Sequence, residues 1–485
     1  MITLFSGTVI GLDALPVTVE IDLNNGLPTF EIVGLAGMAV RESRERVRAA
    51  INNSGFNFPM KKIIVNLAPA AIKKEGTLFD LPIALGILAN LGYIQPTRLK
   101  EFIIAGELSL AGEVRPVNGM LSLAELATKL GKKMLVPAAN SKEAASGNKQ
   151  VYGVKNLLEA VNFLKGEISL KVIKPQSYHF EQEQPNWHNI KGQQVAKRML
   201  MIAACGHHHC LLMGAPGTGK TLLANSVKNL LTPLTLPEAI EVTKIYSMAG
   251  LLQPNSGLVT TRPVRSPHHT ITQVGLVGGG NPIQPGEITL ASHGVLILDE
   301  MLEFSNQALQ ALREPLEAGY VSIVRANQRI KFPAKFLLVA TANPCPCGFF
   351  GDDKQECRCQ IQQIRNYQKK LLGPLLDRID LFTFLPNLDS DDYQKTENST
   401  DIILPITERN GLMTDQEVQS IKLTGECQQF LLKAQKRLNL SARGYYKTIK
   451  IAKTISEIEQ ASSIELPHLA EALQYRWENL NLVNV

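Results

Sequence analysis

One octapeptide constrains this chain more than any other feature. Gly214-Ala215-Pro216-Gly217-Thr218-Gly219-Lys220-Thr221 satisfies G-x-x-x-x-G-K-[ST] at every fixed position. Cys210-Leu211-Leu212-Met213 reads as a buried strand before it, and Thr221-Leu222-Leu223-Ala224 opens a helix after it. Glycines let backbone N–H groups turn inward to cradle phosphate, and the start of a helix adds favourable partial charge. Lys220 is then placed to reach the β- and γ-phosphates of ATP, and Thr221 to hold Mg²⁺.

Two further strands fit that loop. Val295-Leu296-Ile297-Leu298 is continuously apolar, as a central parallel strand is, and ends in Asp299-Glu300. Asp299 would anchor Mg²⁺ through water, and Glu300 would polarise the attacking water. The run Phe336-Leu337-Leu338-Val339-Ala340-Thr341 leads to Asn343. That side chain can sense the γ-phosphate or the attacking water; the plain alternative is a turn before Pro344. Strands alternating with helical periods over residues 187–385 predict an α/β unit with a parallel sheet.

A chain of 485 residues is too long for one core. Residues 1–170 read as a mixed α/β domain, with strand-like runs at 17–21 and 62–67 and amphipathic helices at 41–52 and 121–130. A polar linker follows, 171–186. Beyond the ATPase core at 187–385, the segment 386–485 is helical by period, with a polar stretch at 389–400 that reads as a mobile loop. The net charge of +6 permits a nucleic-acid partner without requiring one. The apolar N-terminus has no basic flank and is soon interrupted by Asp13 and Glu20, so it does not read as a signal peptide. No uncharged run reaches the ~20 apolar residues of a membrane helix. Both point to the cytoplasm, no membrane partner and reduced thiols.

Four of the 7 cysteines form an unusual group. Cys345, Cys347, Cys357 and Cys359 make two C-x-C pairs. Four thiolates on one short loop suit a tetrahedral structural Zn²⁺, although paired ligands ordinarily have two or more residues between them. Four reduced, unligated cysteines are the alternative. His207-His208-His209, between Cys205 and Cys210, enters a core strand and reads as structural.

Taken together these motifs resemble the AAA+ superfamily, and within it the magnesium-chelatase-like ComM/YifB family. The resemblance covers nearly the whole chain. It is carried by GLAGMAVRES at 34–43, KEGTLFDLPIA at 74–84, RPVRSPHHT at 262–270, ANPCPCG at 342–348 and GPLLDRID at 373–380. It implies a central AAA+ sheet with helices on both faces and a C-terminal helical lid. It makes Arg378 an arginine finger on the neighbouring subunit's nucleotide and Arg443 the second sensor. From the residues alone, Arg378 could instead pair with Asp377 or Asp380, and Arg443 could begin a solvated helix face. A site shared between subunits implies a closed ring, and the resemblance implies a hexamer that works as a DNA helicase in branch migration during recombination or transformation.

Residues 1–170 also resemble the proteolytic domain of Lon-type proteases. Matching their Ser–Lys dyad to this sequence places Leu78 at the nucleophile and Leu121 at the base. Neither can do the chemistry, so a binding or assembly role is expected. Thr77 and Ser122 lie one residue away.

For DNA itself, Arg443, Lys447 and Lys450 lie on one face of a predicted helix, with Lys433, Lys436 and Arg437 upstream; the stripe could bind phosphates, the commoner alternative is solvated surface, and Arg443 already has a role at the nucleotide. Arg262, Arg265, His268 and His269 precede Gly278-Gly279-Gly280 and could grip a backbone or set subunit contacts. Two rival functions stay open: the motor subunit of a magnesium chelatase and a protein-remodelling ATPase.

Overall fold

The computed structural model describes residues 1–178, 187, 190–325, 328–371, 375–388 and 409–476. Half of the expected linker, 179–186, and the whole polar stretch 389–400 lie outside these residues, as does part of the GPLLDRID string. The chain divides into two compact units: Met1–His179 with Leu236–Thr260 and Val324–Ile330, and Phe180–Thr235 with Thr261–Ile323 and Lys331–Val485.

The first unit is built on a mixed seven-stranded sheet. Its order is Thr29–Val33, Lys62–Ala68, Asp13–Asn24, Ile2–Ile10, Phe102–Ile104, Lys133–Pro137 and Val151–Val154. The apolar N-terminus is thus a strand. It pairs antiparallel with Asp13–Asn24 across a tight turn in which Gly11 takes φ 62°. The helix Asp80–Asn90 is buried along nearly its whole length. Gly86 lets it lie close on the sheet, since a Cβ there would stand 2.3 Å from Ile21 Cδ1.

This unit also takes in chain from between the phosphate loop and the acidic pair. The helix Leu236–Met248 packs on the helix Met120–Lys129. Ser247 Oγ donates to the buried Glu143 carboxylate (2.5 Å) and accepts from Gly119 N–H (2.8 Å), and Lys244 pairs with Glu125.

The second unit is α/β. Five parallel strands run in the order Val264–Arg265, Val295–Leu298, Leu337–Ala342, Cys210–Gly214, Leu381–Leu385. Alternate residues feed two cores, because a strand's side chains point to opposite faces. Cys210, Leu212, Val295, Ile297 and Val339 pack on one side, with helix residues such as Leu200, Ile451, Ile455 and Leu469. Leu211, Met213, Leu296, Leu298 and Leu338 pack on the other, with Ala308, Leu312 and Leu376. The C-terminal helices Gly425–Leu438, Ala442–Ile458 and Leu466–Gln474 therefore share a core with the sheet. Among the described residues no helix is long and apolar enough to cross a membrane.

Candidate nucleotide site

The phosphate loop joins the buried strand Cys210–Gly214 to the helix Lys220–Ser226. Gly217 and Gly219 take φ 83° and 88°. A Cβ at either would meet nothing, so glycine is needed there for its backbone conformation rather than for space. Lys220 Nζ donates to the carbonyls of Gly214 and Ala215, both at 2.8 Å. Burial lowers its pKa, while Asp299 and Glu300 pull it back up. Thr218 Oγ1 closes onto Ala215 O (2.9 Å). Outside the motif, Gln193 Nε2 reaches Thr218 O (3.4 Å) and Pro386 O (2.8 Å), joining the loop to the exit of the strand Leu381–Leu385.

Strand order brings the second motif alongside. Thr221 Oγ1 lies 3.1 and 3.0 Å from the two oxygens of Asp299. A hydroxyl and a carboxylate converging beside the loop are the donor set that Mg²⁺ takes with a bound triphosphate. A further residue, marked by no sequence motif, fixes this pair. Thr341, on the intervening strand, donates to Asp299 Oδ1 (2.5 Å) and accepts from Glu300 N–H (3.0 Å). It was legible only as one polar residue closing an apolar run. Glu300 takes φ 51°, a left-handed backbone that a non-glycine residue adopts at a cost of roughly 1–3 kcal/mol. Asn343 is half-buried, just beyond the end of the strand Leu337–Ala342, which pairs directly with the phosphate-loop strand.

Arg378 and Arg443 lie elsewhere. Cys210 pairs with Leu381 and Gly214 with Leu385, so Arg378, ahead of Leu381, stands at the opposite end of the sheet from the phosphate loop. A five-residue strand separates those ends by roughly 13 Å. Arg443 is beside Arg378, for one carboxylate holds both: Glu317 takes Arg378 Nη2 on one oxygen and Arg443 Nη2 (2.7 Å) on the other. Arg378 Nε also donates to Arg313 O (3.0 Å). The two arginines, His207, His209 and Lys447 line a cavity of about 410 Å³. Arg378 is therefore paired with Glu317, whereas Asp380 is held by Lys447 at 2.7 Å. Lys447 and the neighbouring histidines keep Asp380 ionised well below the usual carboxylate range, against its burial.

The basic stripe is not a free surface. Arg443 and Lys447 are engaged as above, and Lys450 Nζ donates to Met413 O (2.5 Å). Lys433, Lys436 and Arg437 remain exposed. Arg262 and Arg265 are half-buried and engaged: Arg262 donates to Thr232 O, Pro233 O and His293 O, and Arg265 makes a bidentate pair with Glu287. Burial drives His207 down to about 3 and His208 and His209 to about 4. His208 meets Thr454 Oγ1, and His209 Nδ1 accepts from Leu338 N–H, which suits neutral core histidines.

The sulfurs of Cys345, Cys347, Cys357 and Cys359 all lie within 4.8 Å of one another. Burial pushes Cys345 up to about 12. Cys347 is drawn down to about 6, against its burial, by the backbone N–H groups of Phe349 and Arg358. Convergence of four sulfurs fits a tetrahedral thiophilic ion. Gly348, inside this loop, abuts the phosphate loop, since a Cβ on it would lie 2.6 Å from Pro216 Cδ.

In the first unit the positions matched to a Ser–Lys dyad are apolar and buried, Leu78 and Leu121. The nearby polar groups are engaged elsewhere. Thr77 Oγ1 bonds Glu107, Ser122 Oγ donates to Leu12 O (2.7 Å), and the buried Lys74 gives its Nζ to the carbonyls of Gly34 and Pro69.

Family models cover each part of the chain: magnesium chelatase, subunit ChlI, matches 186–393; subunit ChlI of Mg-chelatase, 19–140; and its C-terminal model, 392–476. Competence protein ComM of Haemophilus influenzae is 39% identical over 494 residues, 97% of this chain and 96% of that protein. The chain belongs to the ComM/YifB family of magnesium-chelatase-like AAA+ proteins. Another member, an uncharacterized YifB of Escherichia coli, is likewise 39% identical, over 96% of this chain and 95% of its own length. The YifB of Salmonella typhimurium is 37% identical over 96% and 95%.

Proposed function

We propose that the chain is an ATP-driven ring motor that translocates on DNA during recombination of incoming strands, working in the cytoplasm. The observation that carries this reading is the separation of the site into two half-sites. Lys220, Thr221, Asp299, Glu300 and Thr341 gather at one end of the sheet, and Arg378 and Arg443 at the other. Arginines that cannot reach their own chain's phosphates are positioned for a neighbour's, which makes hydrolysis depend on a ring, taken here as a hexamer.

In this reading the loop glycines and Lys220 bind the triphosphate. Thr221 and Asp299 would hold Mg²⁺, which when bound would supply positive charge to the phosphates. Glu300 orients the attacking water, and Asn343 hydrogen-bonds it or the γ-phosphate. Arg378 and Arg443 from the next subunit stabilise negative charge on the group in transfer. The cysteine cluster holds a structural Zn²⁺ that keeps its loop against the phosphate loop. Metal analysis of the purified protein should give about one zinc per chain, lost in a Cys357→Ser/Cys359→Ser variant; a zinc-free parent contradicts it.

The name of the Haemophilus relative, a competence protein, supports DNA as the object of the work. The test is ATP turnover with and without forked or four-way DNA, beside a gel shift. Stimulation by DNA is expected. Stimulation only by a protein partner would favour remodelling, and stimulation only by a chelatase partner with porphyrin would favour metal insertion.

A further inference from the structure

On the first unit, far along the chain from either nucleotide half-site, a small pocket opens between the helix Met38–Asn53 and the edge strand Thr29–Val33. Its volume is about 200 Å³. That is below the ~300 Å³ typical of drug-sized sites and suits one planar group. Phe30 and Phe58 stand 5.9 Å apart, tilted 36°. The Arg48 guanidinium lies 5.7 Å from the Phe58 ring centroid. Arg44 is held in place by donating to Phe30 O (3.3 Å) and Arg41 O (3.0 Å), and Phe58 N–H donates to Asn52 Oδ1 (3.1 Å). Arg44, Arg48 and Lys61 are exposed, and they face a single lining acid, Glu45.

Aromatic faces flanked by cations recognise an unpaired base with its phosphates. Charge favours a polyanion as occupant: three cations face one acid in the lining, and a second copy of the chain, itself at +6, does not supply the missing negative charge. We propose that this pocket binds single-stranded nucleic acid, stacking one base on Phe58 and placing the flanking phosphates on Arg44, Arg48 and Lys61. It gives the first unit a strand-holding role of its own, independent of ATP. The inference rests on the reading of the protein as a DNA motor.

The test is fluorescence anisotropy of a labelled oligo(dT) with full-length protein, nucleotide-free, over a salt series. Phe58→Ala should weaken binding by roughly 5- to 100-fold. Arg44→Glu/Arg48→Glu should weaken it at least as much and flatten the salt dependence by about 1.4, the share of two phosphates at ~0.7 each. DNA-independent ATP turnover and sedimentation should match the parent in both variants. If the parent binds and both variants bind as tightly with the same salt slope, this site is refuted while the motor reading stands. If the parent binds no oligonucleotide at all, this site is likewise refuted, and the motor reading is decided separately by ATP turnover on forked or four-way DNA. Loss of ring assembly with oligonucleotide binding retained would assign the pocket to a subunit contact and overturn the proposal.

Discussion

Two lysines, one in each unit, hold the same posture. Lys220 and Lys74 are both buried, and each gives its ammonium to two backbone carbonyls. Burial lowers the pKa of both. What differs is the company. Lys220 sits in a loop whose glycines leave open space above Gly217 and Gly219, with Asp299 and Glu300 near enough to pull its pKa back up. For Lys74 no acid opposes the effect of burial, and the candidate hydroxyls Thr77 and Ser122 bond to other partners. The two lysines thus look alike locally, and only the surrounding groups tell them apart.

The sharpest way to break this contrast is in the ATPase unit. Arg378→Ala should lower kcat by on the order of 10³-fold with little change in KM, because the guanidinium acts on charge that develops during transfer. A KM effect alone would make it a structural residue. Thr341→Val removes the hydroxyl that bridges Asp299 and Glu300. It should cost about 10- to 100-fold in turnover or in Mg²⁺ affinity, read from a Mg²⁺ titration of the rate. Unchanged Mg²⁺ dependence and rate would mean that the bridge is incidental.

Much of that unit was legible because its chemistry is local in sequence: the loop fills eight consecutive positions, and the acidic pair ends a wholly apolar strand. Thr341 was not legible, since its role exists only once the parallel sheet sets its strand beside Asp299. Glu317 was hidden for a like reason, 61 residues from Arg378 and 126 from Arg443. The basic stripe misled because helical period reports which residues share a face and not what that face meets. In the first unit, periodicity located the helices Met38–Asn53 and Met120–Lys129, but not Asp80–Asn90, whose burial on nearly every side leaves no apolar stripe, nor Leu157–Lys165. The opening strand Ile2–Ile10 is hidden in sequence because its apolar and polar residues do not strictly alternate.

On the first unit the contrast predicts silence. Labelled casein with ATP should not be cleaved by the parent. Cleavage abolished by Thr77→Ala would show that the engaged hydroxyl is a nucleophile after all. The smallest effect concerns Lys74. Its folded-state pKa is lowered from 10.5, so between that lowered value and 10.5 the unfolded chain binds more protons. Stability should therefore rise with pH through this window in the parent and stay flatter in Lys74→Met, when urea midpoints of the two are compared. Parallel midpoints across the window would remove the burial penalty on which the comparison rests.

If each phosphate loop is completed by the arginines of another subunit, the two halves of one site can come from different chains. Lys220→Ala keeps the arginines and loses the loop, and Arg378→Ala does the reverse. Mixed after dissociation and reassembly, the two inactive proteins should recover ATP turnover at a measurable fraction of the parent rate. Mixtures as inactive as their components, or Arg378→Ala subunits that hydrolyse ATP at the parent rate alone, would contradict that sharing.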